Sequence, residues 1–182
     1  DVRGIASEIG GKEVQLTNET IYDISAAFVV WCVNTFEKAP EELKIALGHD
    51  SRITADRIAN CVKKALTTSG VTVIDCGLAS TPAMFMTTVD LHTDAAIQIT
   101  ASHHPSDRNG LKFFTRNGGL EGKDIAQILE IASNGEEIIV EDVGKVISVD
   151  YMTDYAARLR NMIIREVAKG DKPLSGYKIV VD

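Results

Sequence analysis

The chain has 182 residues, 45% of them hydrophobic, which is enough to bury one good core and points to one domain with an appendage. A formal net charge of −7 excludes nucleic acid and anionic membrane as main partners, because either demands a basic face; a local cationic pocket stays compatible with it. No apolar run reaches membrane length and no secretory leader is recognisable, so the expected location is the cytoplasm. Cys32, Cys61 and Cys76 are widely spaced in apolar surroundings and are expected as buried free thiols of a reducing compartment.

The opening stretch Asp1–Ala6 sets an arginine beside a glycine before any regular element is expected, and Val14–Leu16 suggests a short strand. Arg3 reads either as a solvated terminal cation or as an anion ligand. Thr17 or Asn18 caps a helix whose stripe of Ile21, Ile24, Phe28, Trp31 and Thr35 faces a core. Lys44–Leu47 is a strand, followed by the loop Gly48-His49-Asp50-Ser51-Arg52 and a helix using Ile58, Cys61, Val62, Ala65 and Leu66. Gly70 stops that helix and Val71–Ile74 is the next strand. This order is a βαβ unit with parallel neighbouring strands, so the loop at 48–52 leaves the C-terminal edge of the sheet, where open α/β sheets bind ligands. Helix capping by Asp50 or Ser51 explains the same residues equally well.

Pro82 suits the first turn of a helix over Ala83 to about Val89. Ala95–Ile99, small and apolar on both faces, reads as a buried central strand. The loop after it holds Ser102, His103, His104, Pro105, Ser106, Asp107, Arg108 and Asn109, at the same edge as the loop at 48–52. Gly110–Thr115 is a fourth strand carrying Lys112, and its helix-free connection favours an antiparallel edge. Lys123–Ala132 is helical, Asn134–Ser148 acidic and irregular, and a long amphipathic helix starts at Val149. Gly170–Gly176, with Pro173, looks like a linker, and Tyr177–Val181 like the opening strand of a further domain. The fold class expected is α/β, a three-layer α/β/α domain with a mixed, mainly parallel four-stranded sheet.

A serine beside two histidines suggests a hydrolase, but neighbouring residues on an extended loop point in opposite directions, and the G-x-S-x-G elbow is missing. A metal site on His103, His104 and a remote His49 or His92 lacks the spacing of known metal motifs. What the loop offers is a hydroxyl with donors around it and a following cation, Lys112, the means to hold a phosphoserine and transfer its phosphoryl group.

The run Thr100-Ala101-Ser102-His103-His104-Pro105, with Asn109-Gly110-Leu111-Lys112 after it, resembles the T-A-S-H-N-P and N-G-I-K signature of the α-D-phosphohexomutases, the phosphomannomutase and phosphoglucomutase superfamily. Asp1-Val2-Arg3-Gly4-Ile5 resembles the opening D-x-R-G-I of that family, Gly48 to Arg52 its G-x-D-x-R, and Thr81-Pro82 its T-P. The resemblance implies domain I over 1–170, a linker and first strand of domain II over 171–182, and further domains of a longer parent as partners. It implies an isomerase that exchanges a phosphoryl group between the 1- and 6-oxygens of a hexose phosphate, through phosphorylated Ser102 and a hexose 1,6-bisphosphate. Lys112 and Arg3 match positions assisting proton transfer or stabilising charge, His103 an active-site position beside the phosphoserine, and Arg52, His104 and Asn109 supports of the phosphate loop. Mg²⁺ is implied as cofactor, with Ser102 contributing a phosphate oxygen and the remaining ligands lying outside this chain. His104 stands where the family has asparagine. The chain is thus expected to be an N-terminal fragment inactive alone, with phosphoglucosamine mutase or a degenerate sugar-phosphate-binding module as alternatives.

Overall fold

Thr17 turns the chain into its first helix: its Oγ1 accepts from the Thr20 amide at 3.1 Å, and Glu19 in the first turn suits the positive helix end. The structure is a computed structural model that describes residues 1–9, 11–167 and 170–181. Contacts divide the chain into two compact units, Asp1–Val149 and Asp150–Asp182. In the first, strands and helices follow in the order β1 (Val2–Ile5), α1 (Asn18–Phe36), β2 (Lys44–His49), α2 (Ala55–Thr68), β3 (Thr72–Leu78), α3 (Thr81–Asp90), β4 (Ala95–Ile99), β5 (Arg108–Thr115), β6 (Gly118–Gly119), α4 (Gly122–Ser133) and β7 (Val146–Ser148).

Among the described residues the sheet has seven strands rather than four, in the order β1-β5-β4-β2-β3-β7 with β6 beside β5. β2 lies between β3 and β4, parallel to both, as the βαβ reading requires. β5 is antiparallel to β4, as expected, but is not the edge: β1 pairs with it, Arg3 opposite Gly110 and Val2 opposite Leu111. The three extra strands have four residues or fewer, too short to show a period in the sequence. β3–β7 is also parallel, and β1, β4 and β6 are each antiparallel to β5, so among the described strands β5 alone runs against the others and the sheet is mixed and mainly parallel, as expected.

Val14–Leu16 is not a strand. Gln15 and Leu16 both donate their amides to the Ile5 carbonyl at 2.9 Å, and the Gln15 Oε1 accepts from the Ile5 amide, so the segment folds back on the end of β1 without a ladder.

Strand alternation sorts the side chains into two faces. Ile45, Leu47, Val73, Ile97, Ile99, Leu111 and Phe113 meet Ile21, Phe28, Ile58, Val62 and Ile128 of α1, α2 and α4 in one core. The Phe28 and Phe113 rings lie 4.5 Å apart, and burying each such side chain contributes about 2–3 kcal/mol. Thr35, expected on the α1 stripe, is exposed. On the opposite face α3 packs directly against Gly48, where a Cβ would stand 2.5 Å from Met84 Sδ. Helices on both faces make the three layers.

In the second unit α5 (Tyr151–Val167) is followed by a turn over 173–176. Tyr177–Val181, expected as a strand, has no ladder partner among the described residues and stays exposed, Val180 at 83%. An apolar run of the right period becomes a strand only when another strand satisfies its backbone groups.

Candidate active site

Because β2 and β4 are parallel neighbours, the loops after them leave the same sheet edge. The Asp50 amide donates to the Ile99 carbonyl at 3.0 Å and ties the two together. Ser102, exposed at the rim, has φ 55°, the left-handed region that L residues occupy only under local constraint. Its amide donates to Thr100 Oγ1 at 3.0 Å, and that hydroxyl donates to Asp50 Oδ2 at 2.7 Å.

Arg52 closes the loop from below. Its Nη1 donates to the carbonyls of Pro105 at 2.7 Å and Arg108 at 2.9 Å, and its Nη2 to those of Ser102 and His104, both at 2.7 Å. One planar guanidinium thereby gathers four carbonyls that a loop of this curvature turns toward a common centre. Asp50 braces the guanidinium in turn, Oδ2 lying 3.3 Å from Nε and Oδ1 accepting the Arg52 amide at 3.1 Å.

Arg3 reaches the site from β1. Its Nη2 lies 3.3 Å from Ser102 Oγ, while Nε and Nη2 pair with Asp1 Oδ2 at 2.9 and 2.6 Å. Gly110 makes this possible, because a Cβ there would stand 2.3 Å from the Val2 carbonyl oxygen and 2.9 Å from Arg3 Cγ. Two residues on along β5, Lys112 projects from the same face as Gly110, its ammonium 5.5 Å from the Phe114 ring centroid.

His103 and His104 stack, ring centroids 5.3 Å apart. Partial desolvation, then Arg3, Arg108, His103 and Arg52, hold the His104 imidazole below its ordinary pKa. The field here suits an anion. Among the described residues no group of three His, Cys, Asp or Glu side chains gathers where a metal would sit.

Asn109, taken with the phosphate loop in the sequence, is fully buried and does not line the rim. Its Nδ2 donates to Thr54 Oγ1 at 2.9 Å and its Oδ1 accepts from the Gly110 amide, so it anchors the start of β5 to the N-cap of α2. Ser102, Arg3, His103, His104 and Arg52 come together at the rim. The sequence does not show the roles of Asp50 and Thr100: the N-cap position of α2 is Thr54, which makes no side-chain capping bond, so capping does not explain Asp50, and only the long-range bond to Thr100 reveals what the carboxylate does.

Residues 1–138 match the family of the phosphoglucomutase/phosphomannomutase alpha/beta/alpha domain I. A phosphoglucosamine mutase of Alkaliphilus metalliredigens is 33% identical over 138 residues, 75% of this chain and 29% of that protein. A phosphoglucomutase of Neisseria gonorrhoeae is 29% identical over 157 residues, 85% of this chain and 31% of its own length. The crystal structure of a phosphoglucomutase/phosphomannomutase family protein from Burkholderia thailandensis shares the fold with a TM-score of 0.71 at 21% identity, over 93% of this chain and 34% of that one. The chain thus spans about a third of the length of these proteins. With most of its length matched, the loop of Ser102 and the strand of Arg3 included, the chain belongs to the phosphoglucomutase/phosphomannomutase family.

Proposed function

We propose that Ser102 is the phosphoryl carrier of a hexose-phosphate mutase, and that this chain forms the catalytic domain of a longer enzyme. The observation that carries the reading is Ser102 itself: an exposed hydroxyl in a left-handed turn, 3.3 Å from a guanidinium, on a loop whose carbonyls are drawn back onto Arg52. Carbonyls turned inward leave the rim free of their negative ends, a surrounding that favours a dianion.

In the transfer, a sugar hydroxyl oxygen forms a bond to phosphorus as the bond from phosphorus to Ser102 Oγ breaks; the hydroxyl gives up its proton and Oγ gains one. Arg3 holds the charge of the equatorial oxygens, and Lys112 takes up and returns the proton. His103 orients the phosphate or the sugar, with His104 stacked against it. The hexose 1,6-bisphosphate formed then turns over and returns its other phosphoryl group to Oγ. Mg²⁺, when bound by the phosphoserine together with ligands outside this chain, supplies further neutralisation of the transferring group.

Glucose or mannose phosphate is the first substrate reading. A hexosamine phosphate is the second, favoured by the naming of the Alkaliphilus relative as a phosphoglucosamine mutase. The site of action proposed is the cytoplasm; among the described residues no helix is long and apolar enough to cross a membrane.

Phosphopeptide mapping of the parent protein after incubation with Mg²⁺ and a hexose 1,6-bisphosphate tests the proposal, with Ser102→Ala as control. A phosphoryl group on Ser102 that chases onto hexose monophosphate supports it. An unmodified Ser102 in folded protein refutes it and leaves a sugar-phosphate-binding module.

A further inference from the structure

We propose that Asp50 and Thr100 act together as the positioning relay of Ser102, setting the geometry from which its hydroxyl reacts; the inference rests on the mutase reading above. A threonine hydroxyl has one proton and two lone pairs. Thr100 spends its proton on Asp50 Oδ2 at 2.7 Å, so only lone pairs face the Ser102 amide, which donates to them at 3.0 Å. That amide bond closes a short turn around Ala101, a side chain accepting from the backbone two residues on. It is the contact that Ser102 makes through its own backbone N–H while at φ 55°, a conformation that costs of the order of 1 kcal/mol without compensation.

The carboxylate is fixed as firmly as the hydroxyl it orients. Asp50 Oδ1 accepts the Arg52 amide at 3.1 Å, Oδ2 lies 3.3 Å from Arg52 Nε, and the Asp50 amide holds the Ile99 carbonyl at the end of β4. Thr100 is 7% exposed, so its hydroxyl is largely shielded from water, while the Asp50 side chain keeps 28% of its surface exposed. Neither residue touches Ser102 Oγ; both act through the backbone that carries it. The same Arg52 that Asp50 braces holds the Ser102 carbonyl, so amide and carbonyl of the reactive serine are both tied, directly or through one intermediary, to the loop after β2.

Asp50→Asn separates this role from an ordinary structural one. Asparagine is well suited to turns, and its Oδ1 keeps the bond from the Arg52 amide. Its Nδ2 then faces Thr100 as a donor, which obliges the hydroxyl to accept there and turns its proton away from Asp50. Ser102 loses the fixed orientation of its acceptor with no change in size; the pairing of Oδ2 with Arg52 Nε goes with the charge, and Thr100→Val, which leaves that pair intact, isolates the hydroxyl.

The experiment uses the intact parent protein in four forms: Asp50→Asn, Thr100→Val, the double variant, and Thr100→Ser, which keeps the hydroxyl. Two quantities are read, the exchange rate of the Ser102 amide and the rate of phosphoryl transfer to Ser102 from a hexose 1,6-bisphosphate. Expected are about tenfold faster amide exchange and about 10–100-fold slower transfer in both single variants, with KM for the sugar phosphate within about threefold of wild type. The double variant should be no worse than Asp50→Asn, since Thr100→Val breaks only a bond that Asp50→Asn already disturbs and leaves the Asp50–Arg52 pair in place, and Thr100→Ser should keep wild-type exchange. Wild-type exchange and transfer in Asp50→Asn, or additive losses in the double variant, would overturn the relay. If wild-type Ser102 takes up no phosphoryl group, the mutase reading falls alone, and amide exchange still decides whether Asp50 and Thr100 hold the turn.

Discussion

Adding one methyl group at Gly110 tests whether the close approach of β1 to β5 delivers Arg3 to the site. In Gly110→Ala the new Cβ would stand 2.3 Å from the Val2 carbonyl oxygen, 2.9 Å from Arg3 Cγ and 3.0 Å from the Thr100 carbonyl oxygen. Two of these three are backbone atoms of flanking strand and loop, so no rotamer change relieves the contact; β1 has to move away. Overpacking of this kind costs about 2–3 kcal/mol, which for a unit the size of Asp1–Val149 lowers Tm by about 4–12 °C. Displacing β1 also withdraws Arg3 from its 3.3 Å approach to Ser102 Oγ. Loss of one preorganised charged donor slows transfer by about 10²-fold, so the variant should approach Arg3→Gln in rate while being less stable than it. Calorimetric melting and single-turnover phosphorylation of Ser102 check the two arms. A Gly110→Ala protein that melts within about 1 °C of wild type and phosphorylates normally would refute the need for a glycine opposite Arg3.

Arg52→Lys keeps the charge and loses the fork that reaches four carbonyls. Expected is a destabilisation of about 2–4 kcal/mol in chemical denaturation, together with faster proteolysis within 101–108, because an ammonium has only three donors and no planar geometry to gather Ser102, His104, Pro105 and Arg108. The His104 imidazole is held below its ordinary pKa of about 6.5 by partial desolvation, by Arg3, Arg108 and Arg52, and by His103. A histidine with a lowered folded-state pKa binds fewer protons folded than unfolded. Its contribution to stability is therefore complete above the unfolded value and is lost as pH falls through the folded one. His104→Asn should flatten the fall in stability below about pH 6.5, read from denaturation midpoints against pH. A phosphate on Ser102 offsets the field of the same cations and should raise the His104 pKa, seen as a titration midpoint of its imidazole resonances at higher pH in NMR.

Strands β2 to β5, helices α1 to α4 and the meeting of two loops at one sheet edge were all legible in the sequence. Each depends on local quantities: the period of apolar side chains, caps such as Thr17, Pro82 in a first turn, and the parallel rule for βαβ units. The Ser102 loop stood out too, since its polar residues lie in consecutive positions. Tertiary structure alone decided the remainder. Pairing of β1 with β5 turned Arg3 from a terminal cation into a neighbour of Ser102. The fold also sent Asn109 into the interior, gathered four carbonyls on Arg52 and joined Asp50 to Thr100, across about fifty residues in each case. Such bonds have no periodic signature, because a side chain that satisfies distant backbone or hydroxyl groups is chosen by the shape of the closed loop, and that shape exists only after the sheet has brought its strands into register.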